Sequence, residues 1–125
     1  ENISARLLET VADGICDSIV LVFLENSRNK DLRSKNWIKR QEKKIFEGVE
    51  YLSNYLKEKQ FFVGNNFSIA DVSCFSCLEY IDLRFPKFEW RNKYKNLNKY
   101  WNIHKIRDSF EKTKPKTQII EPIQD

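Results

Sequence analysis

The segment that most constrains this chain is a helix start followed by an uncharged run. Ser68 and Asp71 are spaced as a capping box: the serine hydroxyl can accept from the amide of Asp71, and the carboxylate can accept from the amide of Ser68. No charged residue interrupts positions 72–78, which is typical of a helix surrounded by protein. The helix should end near residues 84–86, because Pro86 disfavours helical geometry in the residue before it. The sequence therefore predicts a capped, buried central helix around which the other helices pack.

Two longer helices should precede it, because apolar residues recur there at intervals of three and four. The first spans about residues 3–27, with the stripe Ile3, Leu7, Val11, Ile15, Ile19 and Val22, broadened by Leu8, Ala12 and Val20. The second spans about residues 34–59, with the inner face Trp37, Ile38, Ile45, Val49, Leu52 and Leu56. A short polar loop between them predicts an antiparallel hairpin. Gly14 lies inside the first helix, so we expect a neighbouring helix or a ligand to approach its backbone closely.

The last third should be shorter and more aromatic. Residues 87–95 are expected to form an irregular connection, and residues 96–106 a helix that offers Leu97, Tyr100, Trp101, Ile103 and His104 to the core. A final short helix should begin at residue 108 or 109 and end before Pro115. We thus expect one helical domain over residues 1–115 and an irregular or disordered tail over 116–125.

Composition agrees with one all-α domain. A chain of 125 residues can bury one core, and three Gly and three Pro are few for an all-β protein. No apolar run approaches the roughly 20 residues of a membrane span, and the start is too acidic and polar for a signal peptide. Three cysteines form an odd set without a scaffold spacing, which favours reduced thiols. These features predict a cytoplasmic protein without a membrane partner.

The net charge of +4 is unevenly distributed. Residues 1–84 carry 12 basic and 13 acidic side chains, whereas residues 85–125 carry 10 basic and 5 acidic ones. A basic C-terminal third can attract anionic partners, but a solvated surface is the simpler explanation. The aromatic residues interleaved there are better explained by helix packing than by base stacking, so we do not expect nucleic-acid binding.

Two further signals are weak. Cys74 and Cys77 form a Cys-x-x-Cys, but they lie in the predicted buried helix without a second pair, so we interpret them as small core residues and predict no metal site. His104 is the single histidine and has no nucleophile at a suggestive spacing, so we expect it to serve packing. The sequence predicts no catalytic residue in this chain.

Several motifs together resemble a known family. After the hairpin come Val63-Gly64, Phe67-Ser68-Ile69-Ala70-Asp71, Leu97-Asn98-Lys99-Tyr100-Trp101 and Arg107-Asp108-Ser109-Phe110. This order resembles the C-terminal helical domain of glutathione transferases over about residues 3–115. Ala12-Asp13-Gly14-Ile15-Cys16-Asp17-Ser18 is similar to bacterial members in particular. The resemblance implies an all-α bundle in which a long antiparallel hairpin packs around a capped, buried central helix.

The resemblance also implies a function. In that family a thioredoxin-like domain precedes this one and supplies the residue that activates the thiol, and this sequence contains no such domain. We therefore expect a piece of a longer, homodimeric detoxification enzyme that joins glutathione, as a co-substrate, to a small electrophile. No tightly bound cofactor is expected. The 125 residues alone are predicted to be inactive.

The resemblance assigns site residues as well. Family members often carry an acidic residue, Gly, two further residues and Asp, and Asp13-Gly14-Ile15-Cys16-Asp17 matches this pattern. Asp17 thereby acquires the role of contacting the glutamyl amino group of glutathione bound in the partner subunit, with Asp13 one turn away. Solvated helix residues are the alternative interpretation of both.

The electrophile would meet the same helix. Four residues share a face by their spacing of four, three and four, and the last two match family positions that touch the electrophile: Cys16, Val20, Phe23 and Ser27. An ordinary core stripe is the alternative interpretation.

A second function remains open at the level of sequence. Domains of this fold also serve as non-catalytic interaction modules in translation factors and aminoacyl-tRNA synthetases. The residues upstream of Glu1 would distinguish the two, because the enzyme requires a thioredoxin-like stretch there.

Overall fold

A computed structural model describes residues 3–106, and every element in that range is helical. The elements are α1 (Ile3–Asn26), a 3₁₀ turn (Lys30–Leu32), α2 (Lys35–Leu56), α3 (Ile69–Arg84), α4 (Trp90–Lys93) and α5 (Lys95–His104). The predicted all-α class is confirmed. The predicted last helix, the tail and the motif beginning at Arg107 lie outside the described residues. Among helices in the described part of the chain, none is both long enough and apolar enough to cross a membrane.

A buried carboxylate holds the turn between α1 and α2. Glu25, near the end of α1, accepts from the backbone N–H of Ser34 at 2.8 Å and from Arg28 at 3.2 Å. The Ser34 amide, followed by Arg28, keeps the pKa of the Glu25 carboxyl below its usual value. Ser34 in turn caps α2, because its hydroxyl accepts from the backbone N–H of Trp37 at 3.2 Å. The predicted hairpin therefore forms, and hydrogen bonds stabilise both ends of its turn.

Helices α1 and α2 approach each other closely at Gly48. A Cβ atom added there would lie 2.5 Å from Cγ1 and 2.8 Å from Cδ1 of Ile15, far inside van der Waals contact. Gly14, where we predicted a close approach, is exposed, and a Cβ there would meet nothing within 4 Å. The predicted close approach of another helix of this chain at Gly14 is therefore wrong. The glycine that permits the crossing lies on the other helix.

The apolar stripe of α1 is also displaced from its predicted centre. Leu8 is fully buried, whereas Leu7 is 46% exposed and Ile3 is 82% exposed. Successive helical residues are about 100° apart, so burying Leu8 turns Leu7 outward. The buried apolar residues of α1 are Leu8, Ala12, Ile15, Ile19 and Val22. This face suits α1 because it packs against both α2 and α3.

The start of α3 is organised by Asp71, which is fully buried. Ser68 and Asp71 have the predicted capping-box geometry, and Oδ2 accepts from the amide of Ser68 at 3.0 Å and from its hydroxyl at 3.2 Å. Oδ1 accepts from the backbone N–H of Phe62 at 3.0 Å and from the hydroxyl of Tyr100 at 2.7 Å. One carboxylate therefore joins α3, the preceding connection and α5.

The rest of α3 is buried over most of its circumference, as predicted. Its buried residues are Ala70, Asp71, Cys74, Phe75, Cys77, Leu78, Glu79 and Ile81. On the side facing α5, the ring of Phe75 stacks on Trp101 with the centroids 4.1 Å apart and the planes 1° from parallel. The end of α3 is held by a second carboxylate, Asp82.

Asp82 also explains why the predicted irregular connection over residues 87–95 is interrupted by a helix at residues 90–93. Trp90 is fully buried, and its Nε1–H donates to Asp82 at 3.0 Å. Arg91 donates to the two oxygens of Asp82 at 2.9 and 2.6 Å. These bonds stabilise α4, whose four residues are too few to produce a periodic pattern in the sequence.

Helix α5 largely follows its prediction. Leu97, Tyr100 and His104 are buried, and Nε2 of His104 lies 2.7 Å from the carbonyl oxygen of Gln60, which confirms a packing role. Ile103 is 40% exposed, so its expected place in the core is wrong. It lies on the outer side of a helix whose buried positions are three and four residues apart.

We expect Asp71→Asn to lower the free energy of unfolding by about 2–4 kcal/mol, because the amide NH₂ would face buried donors that the carboxylate now accepts. Tyr100→Phe removes one of those donors and should cost about 1–2 kcal/mol. Urea unfolding measures both. Glu50→Gln, at an exposed position of α2, is the control and should stay within about 0.5 kcal/mol of the parent. An equally small effect of Asp71→Asn would contradict the anchoring role.

We expect Gly48→Ala to destabilise the hairpin although alanine favours helices by about 1 kcal/mol. Overpacking against Ile15 should cost about 1–3 kcal/mol and exceed that gain. In an Ile15→Ala background the two clashing atoms are gone, so the same change should become neutral or stabilising. Urea unfolding of the four proteins measures the coupling. A stabilising Gly48→Ala in the parent background would show that the crossing is not tight.

Candidate functional site

A groove of about 330 Å³ lies between α1 and α3. Its walls are Cys16, Asp17 and Val20 from α1 and Ser73, Ser76, Cys77 and Tyr80 from α3. On α3 the lining residues recur at intervals of three, one and three, so they share one face. Three of these four side chains are small, and small side chains facing a neighbouring helix leave room between the two backbones. The groove therefore follows from the residues that α3 carries where it faces α1.

The structure brings two of the four predicted electrophile residues into this groove, namely Cys16 and Val20. Phe23 and Ser27 continue the same face of α1 beyond it, and all four are half-buried. Phe23 lies under the guanidinium of Arg84, 4.8 Å from the ring centroid. Ser27 donates from its hydroxyl to the carbonyl oxygen of Phe23 at 3.0 Å. The four residues thus lie on one face of α1, as their spacing predicts, but only Cys16 and Val20 line the groove.

The two predicted acidic residues differ in position. Asp17 lines the groove and Asp13 does not, although both side chains are exposed. The groove consequently has an acidic residue at its edge beside mostly apolar walls. A carboxylate in that position suits a ligand that carries an ammonium group next to an apolar part.

Two thiols meet in the groove, which was not predicted. Cys16 on α1 and Cys77 on α3 both line the groove, and a hydrogen bond between their thiols is the main cause of the pKa shift of each. The bond lowers the pKa of Cys16, against the opposing effects of burial and of the Asp13 and Asp17 carboxylates. The same bond and burial raise the pKa of Cys77. Cys16 is therefore the thiol that holds a negative charge more readily.

Cys74 differs from this pair although it lies only one turn from Cys77. Its side chain is fully buried and does not line the groove. Burial raises the pKa of its thiol well above the usual value. The interpretation of the Cys-x-x-Cys as two core residues thus holds for Cys74, whereas Cys77 also forms part of the groove wall.

The α3 side of the groove was missed by the sequence prediction. Ser73, Ser76, Cys77 and Tyr80 were expected only as parts of a surrounded helix. The available signal was the set of small residues at intervals of three and four within the uncharged run 72–78. Such a pattern can indicate either a groove or a tight contact between helices. Sequence alone does not distinguish these two outcomes, because they depend on how far apart the neighbouring backbones are.

The groove between α1 and α3 is distinguished by the predicted site residues that line it: Cys16, Asp17 and Val20. Across residues 3–106, no group of three or more His, Cys, Asp and Glu side chains is placed to hold a metal ion. A second hollow, of about 290 Å³, lies where α2 ends against α5. Its walls include none of the predicted site residues: Lys57, Glu58, Lys59, Gln60, Asn96, Lys99, Tyr100 and Ile103. The groove between α1 and α3 is therefore the candidate site.

Comparisons with known proteins agree with the fold. The family model described as the glutathione S-transferase, C-terminal domain, matches residues 35–100, just over half of the chain. The chain has no match among curated proteins.

Solved structures extend the likeness over nearly the whole chain. A glutathione S-transferase from Methylobacterium radiotolerans, solved with glutathione sulfonate, is 32% identical with a TM-score of 0.93; the match covers 98% of this chain and 58% of that one. One from Methylobacillus flagellatus, with glutathione bound, is 30% identical with a TM-score of 0.85, over 91% of this chain and 56% of the other. A family member from Pseudomonas fluorescens, with bound S-(propanoic acid)-glutathione, is 29% identical with a TM-score of 0.80, over 90% and 56%.

The chain thus spans less than two thirds of the length of these proteins. The part that it spans carries the helical hairpin, the capped central helix and the groove between α1 and α3. On the strength of the family match and of these structural similarities, the chain belongs to the glutathione S-transferase family and corresponds to its C-terminal helical domain.

Proposed function

We propose that this chain is the helical domain of a glutathione transferase whose full-length protein joins the sulfur of glutathione to an electrophilic carbon. The observation that carries the proposal is the groove between α1 and α3, in a chain whose matched structures hold glutathione or a glutathione derivative. In the reaction the thiol loses its proton and the sulfur forms a bond to the electrophilic carbon. In an addition the π bond of the electrophile breaks and its other end takes up a proton, and in a substitution the leaving group departs with the electron pair of the bond that breaks. The thioredoxin-like domain implied by the resemblance would activate the thiol, so we also propose that residues 1–125 alone are inactive.

The acceptor would occupy the groove. Val20 supplies an apolar wall, and Ser73, Ser76 and Tyr80 supply hydroxyl groups that can orient a polar substituent. Cys16 lies one helical turn before Val20 on α1. Phe23 and Ser27 remain predicted contacts for a longer acceptor that extends along the same face of α1. These features support a small, mainly apolar electrophile with one polar group.

Glutathione itself would be met by the acidic residues of α1. We propose that Asp17, assisted by Asp13 one turn away, binds the glutamyl ammonium of glutathione held in the partner subunit. Both carboxylates are exposed, and a charge-assisted hydrogen bond to an ammonium is roughly twice as strong as a neutral one. The proposal therefore requires that α1 lie at a dimer interface.

The exposed face of α1 supports a homodimer. Leu7, Gly14 and Leu21 follow one another at intervals of seven, so they share a line along the helix. The two leucines are 46% and 39% exposed, and the space above Gly14 is open. A second helix could approach the backbone at Gly14 between the two leucines.

The alternative, a non-catalytic interaction module, gains no support from the described residues. The aromatic side chains of the basic C-terminal third serve packing, since Trp90 and Tyr100 are buried and Trp101 stacks on Phe75. The cysteines of the chain are free, which supports the proposed cytoplasmic location.

We expect Asp17→Asn in the full-length protein to raise the KM for glutathione by about tenfold, because a charge-assisted hydrogen bond is worth about 1.5–3 kcal/mol. The KM for the electrophile should stay unchanged. Asp13→Asn should have a smaller effect, and Glu47→Gln, exposed on α2, should have none. Light scattering checks that each variant remains dimeric. An unchanged KM for glutathione in Asp17→Asn would contradict the proposed role.

We expect Val20→Trp to fill the groove and to raise the KM for a small aromatic electrophile by about tenfold or more, as the loss of about 1.4 kcal/mol of binding would. Glutathione affinity should be preserved. Asn102→Trp adds the same side chain at an exposed position of α5 and should leave both constants unchanged. Steady-state kinetics with each substrate varied in turn measures the effects. Equal kinetics in the two tryptophan variants would place the acceptor outside this groove.

A further inference from the structure

The thiol pair in the groove has a chemistry of its own. Cys16 lies on α1 and Cys77 on α3, and both line the groove. The residues belong to different helices and are 61 positions apart, so only the tertiary fold brings them together. A small molecule that enters the groove meets Cys16 directly, because Cys16 is half-buried and Cys77 is 1% exposed.

The two thiols differ in the way that a reactive pair requires. The hydrogen bond donated by the Cys77 S–H stabilises a thiolate at Cys16, and the pKa of Cys16 is accordingly lowered. Cys77 is 1% exposed, and its pKa is raised. Cys16 is half-buried and lines the groove. Thus Cys16 is the more accessible sulfur atom and ionises more readily, and Cys77 is the more buried one.

We propose that Cys16 and Cys77 form an oxidative modification site, at which a small hydroperoxide entering the groove converts the two thiols into a disulfide between α1 and α3. The proposal stands on the groove that the two cysteines share and on the greater exposure of Cys16. It does not depend on the proposed transferase function.

The chemistry balances in two steps. The Cys16 thiolate attacks the distal oxygen of the hydroperoxide; the O–O bond breaks, an S–O bond forms, and the alkoxide leaves and takes up a proton as the alcohol. The Cys77 sulfur then attacks the Cys16 sulfenic acid; the S–O bond breaks, the S–S bond forms, and water leaves with the Cys77 proton. The two thiols lose two electrons, and the peroxide gains them. An excess of a small monothiol returns both cysteines to thiols by exchange.

The disulfide would change the groove directly. Two of its seven lining side chains would become one covalent bridge across the floor. A disulfide is much shorter than a hydrogen bond between thiols, so the two walls must move together. The same oxidation would therefore narrow the groove and remove its nucleophilic sulfur.

The test treats the purified protein with a small excess of hydrogen peroxide at neutral pH. Thiols are counted in denaturant, and non-reducing peptide mapping identifies any bridge. We expect the three thiols of the chain to fall to one, the intact mass to fall by about 2 Da, and one bridge to join the Cys16 and Cys77 peptides. Dithiothreitol should restore all three thiols. Three surviving thiols, a bridge to Cys74, or only bridges between two chains would overturn the proposal.

Cysteine variants assign the two roles. Cys74→Ser is the matched control, because Cys74 lies on the same helix outside the groove, and it should form the same bridge. Cys77→Ser should accumulate a dimedone-reactive sulfenic acid at Cys16 without an intramolecular bridge. Cys16→Ser should leave Cys77 reduced at the same peroxide dose. If Cys77 in Cys16→Ser is oxidised by peroxide as fast as in the parent, Cys16 is not the residue that reacts first. If a variant does not fold, the peptide map of the parent decides whether the bridge forms.

Discussion

The fold depends on one carboxylate with no exposed surface. Asp71 accepts four hydrogen bonds from three separate parts of the chain: the first residue of its own capping box, the connection after α2 and the α5 residue Tyr100. A buried carboxylate is tolerable only when its lone pairs are satisfied, and here every partner is a donor. The position of α3 relative to α5 and to the end of the hairpin is therefore set where α3 begins.

A second carboxylate sets the other end of the same helix. Asp82 holds Trp90 and Arg91, so α3 is tied at both ends to elements that follow it in the chain. Between these two anchors the middle of α3 contributes Phe75 and Leu78 to the core. The small side chains on another side of α3 form one wall of the groove beside α1.

The sequence predicted the features that depend on neighbours along the chain. The capping box, the two long helices and the burial of α3 all follow from spacings of three and four residues, which the chain itself displays. The sequence prediction failed for features that depend on which helix packs against a given residue. Gly48 rather than Gly14 permits the close crossing because Ile15 projects from α1 there, and α4 forms because Trp90 is buried under contacts with α3. The half of the groove on α3 could not be predicted, since small residues at helical spacing fit a tight contact equally well.

The acidic and thiol groups of α1 are electrostatically coupled, and this connects the two chemistries of the groove. The carboxylates of Asp13 and Asp17 raise the pKa of Cys16, while the hydrogen bond from Cys77 lowers it more strongly. An ammonium group bound at Asp17 would cancel part of the carboxylate effect, because its attraction and the carboxylate's repulsion act on the same thiolate. The pKa of Cys16 would then fall further. A cationic ligand at the edge of the groove would therefore favour the thiolate form of Cys16. The thiolate would in turn attract the ammonium group, so its formation does not weaken binding of the ligand.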